Sequence, residues 1–414
     1  RPLLDEREFD RKERISLWVA ISKIIVEQTH TPKWERDGDI EWGFDERVGR
    51  VVIKGIGSID DYEDGKEMCR MKEYNLGEAP WTKEYGAQVQ SAVVCYGVSD
   101  LGKNAFSDCK ALCSVIFSDG LVSLGSYAFD NCDSLAEVYV PESASDILGS
   151  TFYKCAKLPS VELAQRNPFF EMDHGVLFDR KKTKLIFFPS TRSGGYIIPS
   201  SVQSIVNNAF YDCSGLTAIT IPNSVESIGA WAFRGCEKLV SIVIPDSVTS
   251  IGDRAFFGCT SMTAITIPEN VTAIDGNLFA FCTKLQSISV AEGNLHYASL
   301  DGVLFNREMT RIMAYPGARS GGYAIPETVD VIGTRAFSGC LLLNSITIPE
   351  GVDCIEDYAF SSCKKITSVV IPRSVRSIGQ NVCYYCSNLG SVSVPNGMSY
   401  PNNAFPKSVK VTTY

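Results

Sequence analysis

Cysteine and histidine are the residue types from which a metal centre, a thiol nucleophile or a proton-transfer pair is built, and the 414-residue chain carries fifteen of the first and three of the second. Ten cysteines fall on a grid: Cys109, Cys132, Cys155; Cys213, Cys236, Cys259, Cys282; Cys340, Cys363, Cys386, with every step inside a group the same, 132 minus 109 or 23. Metal centres gather their ligands in close pairs, whereas a uniform long step lays identical side chains one above another. Neighbouring grid cysteines come within disulfide range but point the same way into a core, so the sequence predicts buried free thiols acting as small hydrophobes. Cys69, Cys95, Cys113, Cys354 and Cys383 lie off the grid; Cys383 and Cys386 make one Cys-x-x-Cys, with no second pair at zinc-ligand spacing. His30, His174 and His296 form no set, and surface positions are expected for them. The run Asp60-Asp61 and Glu63-Asp64 reads as a solvated turn, with calcium ligation as the sharper alternative. Gly55-Ile56-Gly57 lacks the third glycine and the helix of a dinucleotide site. Nothing in these patterns calls for a cofactor or a metal, and the expectation is a protein that is not an enzyme.

The grid implies an architecture. The two intervals that break it, Cys155 to Cys213 and Cys282 to Cys340, are equal to each other, 213 minus 155 and 340 minus 282 both giving 58, so the exception itself recurs. Aligning them superposes Gly175-Val176-Leu177-Phe178 on Gly302-Val303-Leu304-Phe305 and Ser193-Gly194-Gly195-Tyr196 on Ser320-Gly321-Gly322-Tyr323, so a longer superperiod overlies the short one. Within one unit, Leu239 to Cys259, Leu239, Ile242 and Ile244 alternate as a short strand that Pro245 ends, because proline cannot donate to a ladder. Val248 and Ile251 follow, Gly252 permits a turn, and Ala255-Phe256 with Cys259 make an apolar corner. A unit this small cannot bury its apolar side alone, so like must stack on like. Thirteen strand segments are expected, beginning at Val89 and ending with the one from Leu389.

The ends depart from the pattern, as the ends of a stack must. Ile40 to Ile56 reads as a hairpin with Glu41, Trp42 and Phe44 on one arm, Gly49 near the turn and Val51 to Ile53 on the other. Val409 to Tyr414 supplies a closing strand after the corner at Ala404-Phe405. Ile15 to Val26, a dozen positions containing Lys23, is too short to span a bilayer and reads as an amphipathic helix. With 39 basic against 48 acidic residues, a net charge of -9, the chain has no broad basic footprint for nucleic acid or anionic membrane.

The recurring Ile-Pro-x-Ser-Val-x-x-Ile-Gly-x-x-Ala-Phe-x-x-Cys, as in Ile221 to Cys236, resembles the repeat of the BspA-like leucine-rich-repeat family. The interrupted unit, Asp301 to Phe305 followed by Thr310, Pro316 and Ser320 to Tyr323, resembles that family's variant repeat, and Trp42 to Asp45 with Pro80-Trp81 resembles the region before its repeats. The resemblance covers about residues 34 to 410. It implies a leucine-rich-repeat solenoid: a right-handed stack of 23-residue units with parallel short strands, two longer variant repeats and a β-rich N-terminal cap. The expected division is 1–33 as an N-terminal helical or flexible segment and 34–85 as the β-rich cap. The solenoid then runs over 86–403, with variant repeats at about 164–199 and 291–326, and 404–414 is the C-terminal cap. It also implies a cell-surface or secreted protein that adheres to host matrix protein, to other cells or to glycan; a spacer or stalk is the alternative. Abundant thiols suit such a location only if the core shields them.

Binding is expected on two features. The outward residue of each strand lines up down the stack: Tyr139, Glu162, Thr220, Val243, Thr266, Ser289, Thr347 and Val370. This is either a flat adhesive face or simply the β-branched and hydroxyl ladder that strands favour. The variant repeats carry Phe169, Phe170, Phe187 and Phe188 in the first and Tyr297 and Tyr315 in the second, which pack beneath the hairpins or form exposed patches.

Overall fold

The computed structural model describes residues 11–30, 34–55, 69–71, 73 and 75–414. It divides into two compact units, the first comprising 1–192 with 206–211 and the second 193–205 with 212–414. The acidic run at 60–64 and the last two residues of Gly55-Ile56-Gly57 lie outside the described residues.

The first unit opens with a helix, Arg11–Gln28, longer than the segment expected from apolarity alone. The antiparallel hairpin follows, Ile40–Asp45 against Arg50–Gly55, extended by a third strand at Glu35–Asp37. Its second arm then starts a parallel sheet in which Val51, Ala92, Val115 and Val138 lie side by side, and Glu162–Leu163 ends it. Trp42, Trp81, Phe44 and Tyr85 pack together at the hairpin end, and the Trp81 indole donates to the Ala105 carbonyl at 2.7 Å. The first variant repeat is a three-stranded meander, Phe170–Asp173, Val176–Asp179 and Lys184–Phe187.

In the second unit the repeating strands run Gly194–Ile197, Leu216–Thr220, a bridge at Val243, Ala264–Ile267 and Ser287–Val290. After the second variant repeat come Gly321–Ala324, Leu343–Thr347, Ser368–Val370 and Ser391–Val394, and Lys410–Thr413 pairs in parallel with the last of these, the expected closing strand. A second row of two-residue strands, unforeseen from the sequence, runs through pairs that end in isoleucine: Ile228 beside Ile251 beside Ile274 in one sheet, Ile332 beside Ile355 beside Ile378 in another. Each coil is therefore pinned twice by backbone hydrogen bonds. The second variant meander, Tyr297–Leu300, Val303–Asn306 and Arg311–Ala314, joins this row through Ile312.

Between the two rows the core is a set of ladders. Phe233, Phe256 and Phe279 stack at 5.6 and 5.7 Å with planes within 8° of parallel, and Phe106, Phe129 and Phe152 stack at 5.7 and 5.8 Å within 9° in the first unit. Every grid cysteine is buried, and most thiols do more than fill space. Cys132, Cys155, Cys259, Cys282, Cys363 and Cys386 each donate to the carbonyl of the core phenylalanine of the preceding coil, at 3.0–3.2 Å. The small-hydrophobe expectation is corrected to that extent: the thiol adds a second donor to a corner carbonyl that already accepts the amide of its own coil's cysteine, as the Phe233 carbonyl does from Cys236 at 3.2 Å. Gly252 is also needed for a reason other than turn freedom, since a side chain there would stand 2.4 Å from the Ala230 amide nitrogen.

Candidate binding surfaces

The outward ladder is open in the second unit. Thr220, Thr266, Ser289 and Thr347 are exposed, Val243 is 78% exposed and Val370 56%. Ile197, paired beside Thr220 and 74% exposed, belongs to the same row. Burying such residues against a partner rather than water is favourable at about 25 cal/mol per Å². The row is not the continuous surface the repeat suggested. After Ser289 the variant meander closes on it: the Ile288 amide donates to the Gly302 carbonyl at 2.9 Å and the Ser299 hydroxyl to the Ile288 carbonyl at 2.6 Å. The ladder is thus cut into one patch from Ile197 to Ser289 and another carrying Thr347 and Val370.

In the first unit the corresponding row begins with Val52, Val93 and Ile116, and there the chain covers itself. Ile25 and Val26 of the helix, with Trp34, pack on Val52, Val93 and Cys95. The Ser22 hydroxyl accepts the Tyr96 amide at 3.0 Å. Burial pushes the Cys95 thiol up to about 12. Farther along, Tyr139 is half-buried and Glu162 exposed.

The variant repeats hide most of their aromatics. Phe169 is 44% exposed, but Phe170, Tyr297 and Tyr315, expected as binding residues, are buried, as are Phe187 and Phe188. The cause is the residue that opens each insertion. Asn167 accepts the amides of Phe169 and Phe170 through Oδ1 and donates through Nδ2 to the carbonyls of Pro141 and Ala144. Asn294, its equivalent one superperiod on, does the same with His296, Tyr297, Pro268 and Val271, so the chain turns the second aromatic inward both times. Tyr297 then accepts the Ile274 amide on its hydroxyl at 2.8 Å, and Tyr315 packs between Tyr323 and Phe337.

A third surface escaped the sequence reading. Each coil turns its corner through residues in the left-handed backbone region, one just before the Ala-Phe pair and one just before the grid cysteine. Asn104, Asn208, Asn381, Gly235, Gly258 and Gly339 take these positions cheaply. Tyr127, Trp231, Phe281, Tyr358 and Tyr385 take them too, at φ from 53 to 62°, where a bulky side chain costs of order 1 kcal/mol or more. In the second unit these rings are interleaved with guanidinium groups: Arg234 lies 4.4 Å and Arg254 4.7 Å from the Trp231 ring centre, and Arg335 lies 4.4 Å from that of Tyr358. The signal was available in the alignment of the unit with itself, as aromatic residues where asparagine and glycine alternate.

The remaining chemistry is quiet. Among the described residues no group of three or more His, Cys, Asp or Glu is placed to hold a metal ion. Burial pushes the grid thiols other than Cys386 up, to about 11 at Cys109 and about 12 at Cys282, whereas the hydrogen bond between Cys383 and Cys386 holds Cys383 high and Cys386 below the ordinary thiol range. All three histidines are exposed. Native protein at about pH 8 is expected to yield Cys113, the exposed thiol among the described side chains, to a disulfide reagent within minutes, with the grid thiols appearing only in denaturant. Rapid reaction of more than two or three thiols in the folded state would refute the packed ladder.

Fold and surfaces together define a parallel β-solenoid repeat protein with exposed, pre-formed faces. The description of the BspA-type leucine-rich-repeat region matches residues 85–193, 187–299 and 321–414, and the chain belongs to that family. Among solved structures it is similar to a leucine-rich-repeat protein from Eubacterium ventriosum, at 20% identity and a TM-score of 0.48 over 90% of this chain and 98% of that one. It is similar also to a leucine-rich cell surface protein from Faecalibacterium prausnitzii, at 21% identity and 0.44 over 93% and 95%. The pneumococcal vaccine antigen PcpA follows at 16% identity and 0.44 over 93% and 94%. No curated protein matches the chain. No enzymatic family is indicated, and no helix among the described residues is long and apolar enough to cross a membrane.

Proposed function

We propose that this chain is a non-enzymatic adhesion protein, secreted or held at a cell surface, that binds a protein or glycan of a host or of another cell through the open ladder face. The observation that carries the reading is the exposure of Ile197, Val243 and Val370 on a flat sheet face whose counterpart in the first unit, at Val52 and Val93, lies beneath the chain's own helix. A face that the chain covers in one place is one that favours being covered, and a rigid pre-formed surface loses little entropy on binding. Membership of the family supports the surface location. The exposed Phe169 at the first insertion is proposed as a further contact.

The test is binding of the intact chain to immobilised matrix proteins and mucosal glycans. Val243→Asp and Val370→Asp, both at exposed positions, are expected to weaken a saturable interaction at least tenfold while leaving the melting temperature within about 2 °C. Binding that survives both substitutions unchanged would remove the ladder from the account, and an empty panel would move the chain to a spacer role.

A further inference from the structure

The phenylalanine ladder is broken in one coil. Phe337 and Phe360 pack at 5.3 Å, but the next corner reads Val382-Cys383 where its neighbours read Ala-Phe, so a thiol stands in the place of the ring. Cys386, the grid cysteine of that coil, lies three residues on, and its amide donates to the Cys383 carbonyl at 3.2 Å, closing a tight turn. Such a turn holds its first and last Cα atoms within about 7 Å, close to the span that a disulfide bridges. The side chains complete the approach, for the two thiols are hydrogen-bonded to each other. Neighbouring grid cysteines lie on separate coils and point alike, Cys363 donating to the Phe337 carbonyl and Cys386 to that of Phe360.

We infer that Cys383 and Cys386 form a dithiol that exchanges with low-molecular-weight disulfides and closes into a disulfide across this corner. The surroundings assign the two roles. Cys386 is 4% exposed and Cys383 1%, so an incoming disulfide meets Cys386 first. The Cys383 thiol donates to the Cys386 sulfur and, against the opposing effect of burial, holds it below the ordinary thiol range, with the Cys363 and Ser362 amides assisting. At Cys282 and Cys363, whose corners carry no second thiol, burial prevails and drives the thiols up. The Cys386 thiolate attacks one sulfur of the small disulfide and expels the other half as a thiolate, leaving a mixed disulfide. The Cys383 sulfur then attacks that of Cys386 and expels the second half. Two protein thiols thus become one disulfide, one small disulfide becomes two thiols, and both protein protons pass to the leaving thiolates. The second step joins groups already in contact, which favours it over reversal of the first. Oxidation strands no acceptor, because the Phe360 carbonyl keeps the Cys363 amide at 3.2 Å. Joining neighbours on the grid instead requires side chains that point alike to turn toward each other inside a packed core. The corner must open before a small disulfide can enter, so exchange takes on the order of minutes to hours and follows reaction of the exposed Cys113.

This site is separate from the ladder, and the inference holds whether or not the ladder binds. The intact, fully reduced chain is equilibrated with mixtures of reduced and oxidised glutathione, quenched in acid and alkylated, and its disulfides are mapped by peptide mass. The expected result is an intramolecular disulfide between Cys383 and Cys386, formed at glutathione ratios that leave Cys213, Cys236, Cys259, Cys282, Cys340 and Cys363 as thiols. Cys383→Ser keeps a donor for the Cys386 sulfur but cannot resolve the intermediate, and is expected to accumulate the glutathione mixed disulfide on Cys386 at least about tenfold over any other grid cysteine. Cys386→Ser is expected to leave Cys383 unmodified. Absence of the Cys383–Cys386 disulfide from the unaltered chain, or its formation no more readily than a bridge between Cys340 and Cys363, overturns the inference. A mixed disulfide that collects on Cys383 in Cys386→Ser, and not on Cys386 in Cys383→Ser, overturns the assignment of roles.

Discussion

Raising the pH from about 7.5 to about 9.5 is expected to remove roughly 8 kcal/mol from the stability of the second unit. Cys213, Cys236, Cys259, Cys282, Cys340 and Cys363 are fully buried there, and desolvation drives all six thiols above their ordinary range. Below about pH 8.5 the thiols are neutral in folded and unfolded chain alike and cost nothing. Above it the unfolded chain releases their protons while the folded one keeps them, until the pH approaches the folded value, about 12 at Cys282. One pH unit above the unfolded value each thiol contributes about 1.4 kcal/mol in favour of unfolding. Six together rival the roughly 5–15 kcal/mol that holds an ordinary domain. Urea titrations under reducing conditions at a series of pH values measure the slope. Cys259→Ser with Cys282→Ser keeps a donor for the Phe233 and Phe256 carbonyls but removes two titrating groups, and is expected to flatten the slope by about two protons. Stability that stays level to about pH 9.5 would mean that the thiols are not held neutral in a dry core.

Asn294→Ala is expected to cost about 4 kcal/mol, the largest effect of any polar substitution in the second unit. The side chain is fully buried and makes four hydrogen bonds of 2.7–3.0 Å, two donated to the Pro268 and Val271 carbonyls and two accepted from the His296 and Tyr297 amides. Alanine takes a partner from all four backbone groups, of which the Pro268 carbonyl keeps only the Val271 amide at 3.5 Å, and frees the start of the meander, so Tyr297 should also leave its place under Ile274. Asn294→Asp keeps the acceptor but turns a charge toward two carbonyls. Its loss is expected to shrink as the pH falls, because the protonated acid regains a donor. Asn167, with the same four bonds, should respond alike in the first unit. A loss under about 1 kcal/mol by equilibrium unfolding would show that the insertions are anchored by apolar packing instead.

Where residues repeat, the sequence was informative because each one's environment is a copy of its neighbour's. The constant step predicted that Phe233 would meet Phe256 and that Ile228 and Ile251 would lie one coil apart, and both do. It was less informative about what each contact does. A cysteine at a fixed interval announces burial, yet whether its thiol donates to a carbonyl depends on where the corner of the preceding coil puts that carbonyl. The insertions marked the limit. Phe169 and Phe170 are adjacent and alike in sequence; Asn167 exposes one and buries the other through two bonds to their amides.

By itself, then, the sequence determined the repeating coil, its strand and proline stop, the phenylalanine and cysteine ladders and the positions of the two insertions, because these follow from nearest-neighbour stacking of identical units. Only the tertiary structure decided which faces stay open. The helix over Val52 and Val93 and the meander closing on Ile288 both join residues with no periodic relation. Such contacts are set by where chain outside the repeat comes to rest, and no local pattern of apolar and polar residues encodes that.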